Sequence, residues 1–225
     1  MIVKFLFTVL LTMSAGSTLE ISGDLVQAGQ IYQEENDLLG QIRVLGRFLE
    51  EALYAGRTQH AMELLMVMEL YPIEKSYYDF WYARLSWSCG LSEFACNSLD
   101  SISGDPWLSA RSRGLAAQFR GDAATAADYF RQSWLCATST REKFYSALDL
   151  CFSLVQTGDL MEAQTISTYL SEHFPGEGLP RIAFALSLHS QNRFGEAMTV
   201  LQSVSDGDYT GSARHLASSL LEDME

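Results

Sequence analysis

The side chains able to do chemistry are scattered along this chain. His60, His173, His189 and His215 lie far apart, with no ligand spacing between them, and no His-Glu-x-x-His helix occurs. Asp206-Gly207-Asp208 is too short for a calcium loop and reads as a turn. A phosphate-binding glycine loop ending in Lys-Ser/Thr is missing, and so is a Gly-x-Ser-x-Gly nucleophile elbow. Carboxylates are abundant, but spacing alone selects no acid–base pair. The cysteines are Cys89, Cys96, Cys136 and Cys151, an even number that permits disulfides in an oxidising compartment. Cys89 and Cys96 flank one helical turn and form the favoured pair; Cys136 and Cys151 read as buried thiols. Without a Cys-x-x-Cys, no metal site is expected. The chain therefore offers no catalytic residue and no cofactor or metal site, and its chemistry reduces to recognition.

Recognition needs elements that present side chains, and those elements repeat. Six times a glycine or asparagine is followed five residues later by an alanine: Gly23/Ala28, Gly56/Ala61, Gly90/Ala95, Gly121/Ala126, Gly158/Ala163 and Asn192/Ala197. Successive steps are 33, 34, 31, 37 and 34 residues, the period of a helix–turn–helix array. In the Gly158 unit, a helix over 142–157 carries Phe144, Leu148, Cys151, Phe152 and Val155 at helical spacing. Gly158 permits the left-handed backbone that ends it, Asp159 suits the next N-terminus, and a second helix runs from about Leu160 to His173, before Pro175. The alanine sits where the two helices of a hairpin come closest. Seven residues before each turn, Gly16, Leu49, Ala83, Gly114, Cys151 and Ala185 face it, five of them small. Four residues after each alanine come Tyr32, Leu65, Leu99, Phe130, Ser167 and Leu201, mostly large apolar plugs.

With these units the chain resembles the tetratricopeptide repeat (TPR) family from about Gly23 to Val204, with a final helix near Gly211 to Glu222. Gly114…Gly121-Asp122…Ala126…Phe130 and Gly158-Asp159…Ala163…Pro175 match best. The family's early tryptophan and first-helix tyrosine are mostly missing, and the third unit spans only 31 residues. The resemblance implies an all-α, right-handed α-solenoid of about six repeats with a C-terminal capping helix. Its first helices would line a concave groove for an extended peptide or a partner helix. Placed on this register, the groove candidates are Tyr77, Phe80, Arg84 and Trp87, then Arg111, Leu115 and Phe119, then Tyr145 and Phe152. Tyr, Trp and Arg dominate binding hot spots. Tyr77-Tyr78-Asp79-Phe80-Trp81-Tyr82 nevertheless covers every side of its helix, so several of these rings belong to the core. The run Ala61–Met68 reads as a buried second helix.

Composition sets outer bounds. The 225 residues are 48% hydrophobic and 19% charged, enough for a sizeable core. A net charge of −13 repels phosphate backbones, and Arg111, Arg113 and Arg120 are diluted among apolar residues, so no nucleic-acid partner is expected. Residues 1–17 carry one charge, Lys4, ahead of an apolar run that ends in Ser14-Ala15-Gly16-Ser17. This resembles a signal peptide too short to remain as a membrane anchor. A single solenoid domain over 18–225 would follow. The favoured expectation is a periplasmic or secreted, non-enzymatic adaptor of a bacterial envelope, binding another protein. A cytoplasmic chaperone or secretion adaptor that retains residues 1–17 is the alternative. An enzyme or small-ligand binder comes third, and it would need a closed polar pocket with convergent ionisable groups.

Overall fold

The computed structural model describes residues 25–224; the side chains of residues 211 and 212 are left aside. The signal-peptide expectation for 1–17, and the first turn pair's Gly23 and Gly16, lie outside the described residues. Among these residues there are twelve α-helices and no strand: α1 Leu25–Glu34, α2 Leu38–Tyr54, α3 Thr58–Met68, α4 Lys75–Ser88, α5 Ser92–Ser101, α6 Pro106–Phe119, α7 Ala123–Cys136, α8 Thr140–Thr157, α9 Leu160–His173, α10 Leu179–Ser190, α11 Phe194–Ser205 and α12 Gly211–Met224. The molecule is an all-α solenoid of stacked helical hairpins.

Each turn residue of the repeat register adopts the backbone that ends a helix. Gly56, Gly90, Gly121, Gly158 and Asn192 all have φ between 61° and 87°. At Gly158 this left-handed cap lets the Asp159 amide return to the Leu154 carbonyl, which closes α8 before α9 starts. The following helices begin on local caps where the sequence supplies them. Asp122 accepts from the Thr125 amide, and Ser139 with Glu142 forms a reciprocal capping box. Asp105 accepts from the Leu108 amide at the start of α6. Pro106 sits there as the first helical residue and opens α6, where its fixed φ and missing N–H cost nothing.

Packing follows the same register. Ala28, Ala61, Ala95, Ala126, Ala163 and Ala197 are all fully buried, as are the plugs Tyr32, Leu99, Phe130, Ser167 and Leu201, with Leu65 nearly so. On the facing helix Leu49, Ala83, Cys151 and Ala185 are fully buried, and Cys151 Sγ donates to the Ala163 carbonyl at 3.1 Å. A Cβ added to Gly114 would lie 2.5 Å from the Phe130 ring, so that small residue is a steric requirement.

Three expectations are corrected. Cys89 and Cys96 form no disulfide. Cys89 faces solvent just beyond α4, whereas Cys96 is buried in α5 with its Sγ toward the Ala116 carbonyl. Cys136, at the end of α7, is exposed, because its helix turns only Ala126, Ala127, Phe130 and Ser133 inward. Helix α3 buries only Ala61, Leu65 and Met68, and its outer side leaves Met62, Met66 and Val67 exposed.

The hairpins stack so that α2, α4, α6, α8 and α10 pack side by side as one layer, while α3, α5, α7, α9 and α11 each pack only on helices of that layer or on α12. Helix α12 packs on α10 and α11 and also reaches back to α2. In a simple solenoid each repeat touches only its neighbours. Here the last helix meets the first full hairpin, so the arc closes on itself and the inner layer faces a confined channel.

Candidate functional site

The inner layer places four ionisable side chains at the middle of this channel, one from each of four successive hairpins. Arg111 of α6, 1% exposed, donates through Nε to Asp149 of α8 at 2.7 Å and through an Nη to Glu50 of α2 at 3.4 Å. Arg84 of α4 donates to the same Glu50 oxygen at 2.9 Å. Aromatic rings surround the guanidiniums. Arg111 lies 4.7 Å from the Tyr145 ring centre and 5.2 Å from that of Phe80, and Arg84 lies 4.9 Å from that of Trp81. A second contact spans the arc, where Arg47 of α2 and Arg141 of α8 both donate to Glu177 Oε1, at 2.8 and 2.7 Å. Glu177 stands in the α9–α10 connection.

Burial and charge pull against one another in this network. Burial disfavours the Glu50 carboxylate, but Arg84 and Arg111 outweigh it and hold its carboxyl below the usual range. Asp149 is pushed above its usual range by burial, with Arg111 opposing. Burial also raises the hydroxyls of Tyr54, Tyr77 and Tyr145, with Glu50 adding to the effect on each. None of these groups is positioned as a nucleophile beside a base, and the two carboxylates are held by arginines.

The ion network divides the channel. Toward the C-terminal ends of the inner helices lies a mainly apolar cavity of about 460 Å³, lined by Trp87, Leu115, Phe119, Phe152, Leu186 and, from α12, Leu216 and Leu220, with Tyr54, Gln118, Gln156 and the network's Arg84 and Asp149 also on its wall. Trp87 and Phe119 stack here with ring centres 4.1 Å apart and planes 7° from parallel, each half-buried. Toward the N-terminal ends lies a second cavity of about 130 Å³, where Arg43, Arg47, Arg111 and Arg141 converge with Tyr77, Trp107 and Tyr145.

Every groove candidate drawn from the register thus lies on the inner layer, but in different roles. Trp87, Leu115, Phe119 and Phe152 line the mainly apolar cavity, with Leu115 buried in the core. Tyr77 and Tyr145 line the arginine-rich one. Phe80, Arg84 and Arg111 are buried, and the two arginines are committed to Glu50 and Asp149. Sequence reasoning missed Glu50 and Asp149. Glu50 stands six residues before Gly56 and Arg84 six before Gly90, so opposite charges at one register position were the available signal. It also missed the closure by α12. Among the described residues no cluster of His, Cys, Asp and Glu is arranged to hold a metal ion, and no helix is long and apolar enough to cross a membrane.

No protein-family model matches the chain, and no curated protein matches it. Among solved structures, the fold is similar to that in the crystal structure of the APC/C hetero-tetramer Cut9-Hcn1, with a TM-score of 0.58 at 16% identity. The similarity covers 93% of this chain and 46% of the other, so the chain spans about half the length of that neighbour. At that identity the likeness is one of fold: a solenoid of helical hairpins.

Proposed function

We propose that the chain is a non-catalytic protein-interaction scaffold that receives apolar side chains of a partner peptide in the cavity lined by Trp87, Phe119 and Phe152. The observation that carries this reading is the stacked Trp87–Phe119 pair. Two large rings, Phe119 also packing on the core, are kept half-buried against a cavity of about 460 Å³. Rigid aromatic rings at the edge of a preformed apolar cavity are the usual anchors of peptide recognition. Because Leu216 and Leu220 of α12 occupy one wall, the remaining space suits inserted side chains of an extended segment better than a whole helix. The solenoid architecture supports a protein partner, and the net charge of −13 argues against nucleic acid.

The test is capture of a partner from the native organism with the full chain as bait. Trp87→Ala and Phe119→Ala abolish capture while helix content is retained. If both variants bind like the wild type, the cavity is not the site. The charge-poor segment 1–17 supports export to a bacterial envelope as part of the same proposal. N-terminal sequencing of the native protein checks this, since an intact Met1 contradicts it.

A further inference from the structure

Resting on the peptide reading above, we infer that α12 is a displaceable door on the mainly apolar cavity. Its C-terminal end swings off α2 to admit the partner and returns when the partner leaves. The helix is held unevenly along its length. At its start Ala213 is fully buried, and it sits so close to Gly178 that a Cβ on the glycine would come within 2.8 Å of it. Tyr209, just ahead of the helix, packs on the core with the Arg181 guanidinium over its ring. Arg214 Nε donates to the Ser205 carbonyl at 3.2 Å, and the Ser205 and Ser218 hydroxyls share a hydrogen bond of 2.8 Å. Ala217 is the last fully buried side chain of the helix. The first half of α12 is thus pinned to the end of α11 and the start of α10.

Beyond Ser218 the hold changes. Leu220, Leu221 and Met224 are only partly buried. Residues 219–224 make no side-chain hydrogen bond or ion pair with other described residues. Leu220 lines the cavity that Tyr54 of α2 also lines, so the arc closes here on apolar contact alone. The helix also carries its charges against its dipole. Glu222 and Asp223 stand in the last turn, where cations are favoured, and the first turn has no carboxylate. The end of α12 that covers the cavity is therefore the end most easily lifted. A partner that needs the space under Leu220 binds only the open fraction of chains, so α12 acts as an internal competitor that sets the apparent affinity.

The test uses the full chain and an uncharged apolar fluorophore, N-phenyl-1-naphthylamine, whose association is followed by stopped-flow fluorescence. Two variants act on the door at exposed positions outside the cavity lining. Ser219→Gly loosens the helix end, and Glu222→Lys/Asp223→Lys reverses the dipole mismatch. Association speeds up about twofold in the first variant and slows about twofold or more in the second. Hydrogen exchange at residues 219–224 in the free chain follows the same order. Trp87→Ala weakens dye binding and leaves that exchange unchanged. Fraying without a gating role would move the exchange but leave dye association equal in all three chains. With Trp87→Ala still weakening the dye, that result overturns the inference and spares the peptide reading. Dye binding indifferent to Trp87→Ala removes the cavity reading and the door with it. Exchange at 219–224 as slow as in α10 also overturns the inference.

Discussion

Arg111→Met is the substitution that most severely tests the ion network. The variant keeps an unbranched apolar stem among the Phe80, Trp107 and Tyr145 rings but removes the guanidinium that bonds Asp149 at 2.7 Å and Glu50 at 3.4 Å. Glu50 retains Arg84, whereas Asp149 has no other charged hydrogen-bond partner among the described residues and stays 5% exposed. Stranding one member of a buried ion pair costs about 3–5 kcal/mol. For a chain of this size that lowers the melting temperature by roughly 6–20 °C. The stranded carboxyl relieves itself by binding a proton. Burial already raises Asp149 above the ordinary value of 3.8, so in the variant this group's contribution favours the folded state at low pH and is lost as pH rises through its elevated folded value. Arg111→Met/Asp149→Leu removes both charges and recovers most of the loss, since a buried pair and an apolar replacement of similar volume differ little. Urea unfolding of the wild type, both single variants and the double variant gives the coupling energy, expected to be at least the recovered part of that cost, roughly 2–4 kcal/mol. A single-variant cost below about 1 kcal/mol, or a double-variant cost equal to the sum of the singles, refutes the reasoning.

Other perturbations separate the remaining parts of the account. Ala163→Leu forces a larger side chain between α8 and α9 against Cys151 and destabilises by about 1–3 kcal/mol, whereas the same change at an exposed position such as Ser190 stays within about 0.5 kcal/mol. In the reduced native protein Cys89 and Cys136 react rapidly with a thiol reagent, while Cys151, its thiol pushed up to about 12 by burial, and buried Cys96 react only on unfolding; four equally fast thiols contradict the placement. Glu50→Gln is destabilising near neutral pH. Because the folded carboxyl lies below its ordinary 4.5, that contribution is fully present above about pH 4.5 and fades as pH falls through the lowered value, so the gap between variant and wild type narrows on acidification. A constant gap contradicts this.

The repeat register was legible because it is enforced by sterics. The alanines at 28, 61, 95, 126, 163 and 197 are fully buried, where a larger side chain would separate the helices, and glycine or asparagine readily takes the turn backbone. The same register put the groove candidates on the inner layer. It did not tell which of them face one another, because Glu50, Arg111 and Asp149 meet only when non-adjacent hairpins curve together. Arg84 and Arg111 therefore looked available for a partner and are engaged inside the chain. Pro106 illustrates a local ambiguity: proline opens a helix as readily as it follows one, and the Asp105 cap decides between the two. The return of α12 to α2, and with it the Arg47–Glu177 contact across 130 residues, depends on accumulated curvature that no single unit encodes.

The central claim is that the ring-lined cavity, and not the convex surface, engages the partner. Site-specific photo-crosslinking in the native host tests it most directly, with a photoreactive phenylalanine analogue at Phe119 in the cavity and at Leu135, 87% exposed on α7. The account predicts a discrete protein adduct from position 119 that disappears in the Trp87→Ala background, and none from position 135. An adduct from 135 alone, or one from 119 that survives Trp87→Ala undiminished, contradicts it.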